Sequence, residues 1–297
     1  MRAGHDAGLT ATRMRGGDLL RPYPGARIPA SAPPMTHREL CAAYLLRSPE
    51  GQFFSHVTAA RLWRIPLPLR LEAERALDVG VVKPLPVPRL RGIRGHRLTG
   101  TGLTIVRRYG LPVADAASTW CQLGTVLDHD DLVAAGDHLV RCPRKQERGE
   151  RRPYVRLDHL RSVALSRRGP GGRALREAAA DVREGADSRR ESLLRLLLVR
   201  AGLPEPELNQ EIFDDRGHSL GFADMLYRTQ RVVVEYDGDQ HRTDYDQFEK
   251  DAVRLDDFRH RAHHHVVQVR KKGLSEHPQD TVARVREALA RADPSSS

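Results

Sequence analysis

The sequence predicts a mixed α and β chain (α+β/α/β), with a mainly helical first part carrying short strands and then a mixed sheet flanked by helices. Three observations carry this. Two helical segments open on the capping signature S/T-x-x-E, at Thr36 with Glu39 and at Ser188 with Glu191. Two runs rich in β-branched and aromatic residues, 222–227 and 231–236, are bounded by Gly221 and Gly238. Beyond them Val282, Val285 and Leu289 recur at helical spacing.

The chain has 297 residues, of which 39% are hydrophobic, enough for two domains with real cores. No run approaches the roughly 18 apolar residues that span a bilayer, and the N-terminus lacks an apolar signal core. A soluble, cytoplasmic protein with no membrane partner is expected. Cys41, Cys121 and Cys142 have neither disulfide nor zinc-site spacing and read as ordinary buried or free thiols. The formal charge of +10 is uneven: residues 1–187 hold 31 Lys and Arg against 19 Asp and Glu, and residues 188–297 hold 18 against 20. This supports a polyanion partner. Arginine outnumbers lysine 44 to 5, a bias that coding composition also produces.

Taken in order, residues 9–15 read as the end of a helix before Gly16 and Gly17, followed by a small β-wing; a partly disordered arm fits the same residues. From Thr36, Leu40, Ala43, Tyr44 and Leu46 follow a helical period. A second helix over 55–63 stops at Pro66 and Pro68. His56 at its start has no companion nearby in sequence and reads as a polar helix-start residue rather than a ligand or base. Short strands follow at 77–82, 95–98 and 103–108, then helices at 114–123 and 130–140. The charged, proline-flanked run 142–153 is an exposed loop whose basic residues could grip phosphate. Helices at 157–165 and 173–182 surround a glycine-rich break, so a domain boundary is expected within 142–187: a regulator-like domain at 1–141, a linker with helices at 142–187, and a second domain at 188–297.

The second domain carries the chemistry. After the 188–200 helix come strands at 209–213, 220–227 and 231–236. A loop with an even number of residues sets Asp224 opposite Glu235, with β-carbons about 5 Å apart. The two-residue period of a strand places Asp237 on the face of Glu235. Carboxylates inside strands are costly unless compensated, and a hard cation such as Mg²⁺ (or Mn²⁺) held by Asp224, Glu235 and Asp237 would compensate them. His241 titrates near neutrality and could deprotonate an attacking water. A plain Asp237-Gly238 turn is the competing explanation, as is a purely capping role for Glu191. The helix over 246–260 sets Phe248, Ala252 and Leu255 on one side and leaves Lys250, Arg254 and Arg261 for solvent or phosphate. His260 and His263 to His265 read as the exposed entry to a strand at 266–269, before a last helix at 279–292.

The order helix, strand with Asp, strand ending in V-E-Y-D-G-x-x-H, helix with arginine, strand and helix resembles the PD-(D/E)XK nuclease fold, a restriction-endonuclease-like mixed sheet. It is most similar to the domain family related to very-short-patch-repair (Vsr-like) endonucleases, over roughly 188–292. The resemblance implies a Mg²⁺-dependent endodeoxyribonuclease in which Asp224 is the first acid, Glu235 the second, Glu191 a helix-borne acid and His241 the base. Arg254 matches a recurrent arginine of that family and could bridge to an acid or to a backbone phosphate, with an ordinary surface salt bridge as the competing reading; with Lys250 and Arg242 it forms the expected DNA contact set. Asp237 stands where the general motif has lysine. The N-terminal segment L-T-A-T-R-M-R-G-G-D-L-L-R-P-Y-P-G-A-R-I-P with S-H-V-T-A-A-R-L-W resembles an AbiEi-type antitoxin and regulator region. The alternative implied function is a non-catalytic DNA-binding regulator or antitoxin that keeps a nuclease fold.

Overall fold

A computed structural model describes residues 10, 12–23, 26–46, 48–99, 102–144, 146, 148–238 and 245–291. The chain is mixed α and β and divides into two compact units, residues 1–126 with 166–172, and residues 127–165 with 173–297. The chain passes between the units after residue 126 and again at 165/166 and 172/173, the last two within the 142–187 segment. In the second unit the helix His129–Val140 pairs with Arg189–Arg200 through ion pairs that no local pattern announces. Among the described residues no helix is long and apolar enough to cross a membrane.

The first unit begins with a two-stranded ribbon, β1 (Leu19–Leu20) against β2 (Ile28–Pro29), where the wing was expected. Helix α1 (His37–Leu45) opens on the complete Thr36–Glu39 capping box. A five-stranded sheet follows, built from β3 (Phe53–Phe54), β4 (Leu77–Val82), β5 (Ile93–Leu98), β6 (Ile105–Arg108) and β7 (Leu111–Ala114), in the order β5-β4-β3-β7-β6. Helices α2 (His56–Leu62), α3 (Leu69–Glu72) and α4 (Ala116–Leu123) complete the unit. Phe54, Leu77, Val79 and Val113 of the sheet bury against Cys41 and Tyr44 of α1 and Ala59 and Leu62 of α2. Cys41 and Cys121 are buried free thiols and Cys142 an exposed one.

The second unit contains α5 (His129–Val140), α6 (Leu157–Ser166) and α7 (Gly172–Asp181), then α8 (Arg189–Arg200) leading into a four-stranded sheet. Strands β8 (Glu207–Phe213), β9 (Ser219–Tyr227) and β10 (Val232–Asp237) run antiparallel in turn. Helix α9 (Tyr245–His260) then returns the chain so that β11 (His265–Arg270) lies parallel to β10, giving the order β11-β10-β9-β8. Short α10 (Lys271–Ser275) and α11 (Pro278–Arg291) close the unit. One face of the sheet, with Met225, Val232, Val234 and Val267, packs on Leu194 and Leu198 of α8 and Val282 and Val285 of α11. The other, with Leu226 and Val233, packs on Leu255 and Phe258 of α9. The buried side of α9 is therefore Leu255 with Phe258; Ala252 is exposed, and the side chain of Phe248 lies outside the described residues.

Candidate functional site

The β9–β10 connection is the four-residue loop 228–231, an even number, and the paired register runs Tyr227↔Val232, Leu226↔Val233, Met225↔Val234, ending one residue short of Asp224 and Glu235. At that point side chains replace the ladder. The Asp224 amide donates to Glu235 Oε1 at 3.1 Å, and the Tyr236 amide donates to Asp224 Oδ2 at 2.8 Å. Each carboxylate thus satisfies a backbone donor of the facing strand, which lets two acids sit inside a sheet without orphaning its amides.

Asp224, Glu235 and Asp237 line one cavity of about 390 Å³ together with Glu191, Asp251, Arg254 and Arg270. Arg254 reaches from α9 and grips Glu235, with Nη2 2.9 Å from Oε2 and Nη1 3.3 Å from Oε1, while Nη1 also donates to the Phe222 carbonyl at 2.5 Å. Asp251 stands 3.6 Å from the same guanidinium. Asp237, paired in register with Arg270, accepts from its Nε at 3.1 Å.

Glu191 caps only half as expected. Its amide donates to Ser188 Oγ at 3.2 Å, but its carboxylate accepts from the Asp187 amide at 2.7 Å instead of the Ser188 amide that a capping box requires. Burial pushes the Glu191 carboxyl up to about 7, with the Asp187 amide opposing and the charges of Asp187 and Glu235 adding to the rise. Asp224 is raised well above the ordinary carboxylate range by burial and then by the charges of Glu235 and Glu191. Glu235 is raised by burial against the pull of Arg254. Burial alone would lower Arg254, yet Glu235 and Asp224 outweigh it and hold the guanidinium firmly charged. Three carboxylates whose protonation burial favours meet here, and Arg254, one-quarter exposed, bears on Glu235 and Asp224.

Several sequence expectations change here. Of the two roles open to Arg254, the structure shows the bridge to an acid, since Glu235 and the Phe222 carbonyl engage its guanidinium. Arg261 is held by Asp214, Nη2 to Oδ2 at 2.6 Å, and by Asp257. Lys250 is exposed on α9, as expected. His241 and Arg242 lie outside the described residues. Among the described residues no group of three or more His, Cys, Asp and Glu side chains is arranged to hold a metal ion. His56 does have a companion: its ring stacks on His96 with centroids 3.8 Å apart, and His96 Nε2 lies 2.8 Å from Asp78 Oδ1. Burial and the neighbouring His96 push His56 down to about 4, which makes it a neutral core histidine at pH 7.

The loop 142–153 supplies a residue that sequence reasoning left in solvent. The Arg144 guanidinium lies 3.1 Å from the centroid of the Phe222 ring, close enough to Asp224 and Arg254 for their charges to act on it. A basic residue flanked by Pro143 was the only local signal. No family model matches the chain, and neither a curated protein nor a solved structure matches it.

Proposed function

We propose that this chain is a metal-dependent DNA endonuclease of the PD-(D/E)XK, Vsr-like kind, with its phosphodiester-hydrolysing site in the cavity of the second unit. The observation that carries the reading is the pair Asp224, half-buried, and Glu235, buried, linked through backbone amides beside the buried Glu191, with Arg254 on Glu235. The helix, three antiparallel strands, helix and parallel strand of α8 to β11 support it by agreeing with the restriction-endonuclease-like order that the sequence resembles.

The donors suit a hard divalent cation, because they are all oxygen, carry surplus negative charge, and include two carboxylates, enough for an ion that keeps most of its waters. Asp224 and Glu235 would hold Mg²⁺ or Mn²⁺, with Asp237 at the rim. Bound there, the ion would supply charge stabilisation for a phosphoryl oxygen and the leaving group. Arg254 fixes the Glu235 carboxylate and is a positioning residue. Glu191, poised near neutrality, can take and return a proton, a role that sequence alone assigns to His241. Lys250, Arg242 and Arg144 would meet DNA phosphates, with Arg144 steadied on Phe222.

The test is cleavage of single-stranded, duplex and nicked DNA with Mg²⁺ or Mn²⁺. Wild type should cut at least one form, and Asp224→Ala and Glu235→Ala should each lose at least a hundredfold. Full activity in both variants would sink the proposal.

A second reading, a non-catalytic DNA-binding regulator or antitoxin, is favoured by one specific observation. Arg254 clamps Glu235 and Arg270 clamps Asp237, so two of the three acids have countercharges without any ion. Tight DNA binding by wild type with no cleavage of any form would establish it.

A further inference from the structure

The whole net charge of +10 is carried by residues 1–126, which hold 18 Lys and Arg against 8 Asp and Glu, whereas residues 127–297 balance at 31 each. Within that basic unit the β6–β7 hairpin ends in an unusual tip. The register Arg108↔Leu111 leaves Tyr109 and Gly110 as a two-residue loop, with φ of 52° and 77°. Two positive φ angles make a primed turn, whose first position favours Asn, Asp or Gly; a bulky tyrosine there is strained. Strain of this kind persists where something other than stability retains the residue.

The tyrosine ring is also presented to solvent. Tyr109 is 46% exposed. The Arg108 guanidinium lies over the ring, 4.8 Å from its centroid, with Nη2 donating to the Tyr109 hydroxyl at 3.2 Å; Arg38 lies over it at 5.4 Å, and Arg107 beside it is exposed. The tip is braced from below, because the Arg108 guanidinium covers the Trp63 ring at 4.3 Å and its Nε donates to the Leu62 carbonyl at 2.6 Å. Arg107 Nη1 ties across the turn to the Gly110 carbonyl at 2.9 Å. A rigid, protruding aromatic ring among arginines is the arrangement by which proteins bind unpaired bases: the ring stacks on any base and the guanidiniums meet phosphates. Duplex DNA hides its base faces and offers such a ring only groove edges.

We propose that Tyr109 is a base-stacking platform for single-stranded DNA, with Arg38 and Arg107 contacting the flanking phosphates. This surface lies outside the cavity of the second unit, and its occupation does not depend on cleavage there.

The test is fluorescence anisotropy of the full chain in EDTA with a labelled oligothymidylate and, separately, a labelled duplex. Wild type binds the single strand, and Tyr109→Ala weakens that binding about tenfold, within the range for one stacked base, while changing duplex binding far less. Tyr109→Phe retains wild-type affinity. Tyr109→Asn weakens binding as alanine does, yet keeps or raises Tm because asparagine tolerates the turn. Arg107→Ala weakens both substrates and lowers the salt slope on the single strand by about 0.7. Three results would overturn the proposal: no single-strand binding by wild type, unchanged single-strand binding in Tyr109→Ala, or a Tm loss with unchanged binding in Tyr109→Asn. Because EDTA removes any need for cleavage, an inactive cavity leaves this outcome unaffected.

Discussion

The second unit holds two acid–arginine clusters that differ in stoichiometry. Along the seam of α5 and α8 each acid has its own arginine: Asp131 with Arg189, Asp137 with Arg195, and Asp130 with Arg200. Arg195 also meets Glu205 at 2.8 Å and the Asp181 carbonyl at 2.7 Å, so both terminal nitrogens of a side chain that is only 1% exposed have acceptors, while its buried Nε has none. At the sheet edge, by contrast, Glu235 and Asp224 share Arg254, and Glu191 adds a third carboxylate beside them. A balanced cluster joins two helices, and a deficit of positive charge leaves room for a cation or for a proton. Even in the seam desolvation leaves a trace, since burial pushes Asp137 up to about 6 against the pull of Arg195.

The largest expected effect breaks the balanced side. Arg195→Ala leaves Asp137 buried without its countercharge and should destabilise the fold by about 3–5 kcal/mol in urea unfolding. A loss below about 1 kcal/mol would show that apolar packing, not the ion pair, holds the seam. Arg254→Ala should cost less, roughly 2–3 kcal/mol in EDTA, because Arg254 keeps some solvent contact. Thermal unfolding with Mg²⁺ or Mn²⁺ sharpens the contrast: divalent cation should recover part of the loss in Arg254→Ala and none in Arg195→Ala. Equal behaviour of the two variants would remove the distinction between the clusters.

Glu191→Gln tests the proton side. A carboxyl raised from 4.5 to about 7 stabilises the fold fully below its ordinary range, and that contribution disappears as pH rises through about 7. Between these limits the Tm of the glutamine variant should therefore rise relative to wild type, measured in EDTA at each pH. A constant difference would mean that Glu191 does not titrate there. The smallest effect is expected for Asp237→Ala, below about 1 kcal/mol, because its pair with Arg270 lies at an open edge. A larger cost would place Asp237 within the buried cluster.

Local rules reached some elements and not others. The Thr36–Glu39 capping box was legible because all its partners lie within one turn. The Ser188 box formed only on its serine side, since a buried neighbourhood turned Glu191 toward the Asp187 amide. Strand β3, only Phe53–Phe54, is too short to show a period, although it lies at the centre of its sheet. Strand β7 contains Pro112, which argues against a sheet interior. Arg144 could not be assigned to the cavity, because nothing in a charged loop names the ring on which it stacks.

The sequence by itself determined the hairpin and the condition on it, that only an even loop sets Asp224 opposite Glu235, because the two-residue period of a strand is a local property. The structure supplied the even loop, residues 228–231. Tertiary structure alone decided the electrostatics. Docking of α8 and α9 onto the strands brought Glu191 and Arg254 to the same two carboxylates and excluded water from them. Desolvation and charge balance depend on everything packed around a group, which no spacing along the chain records.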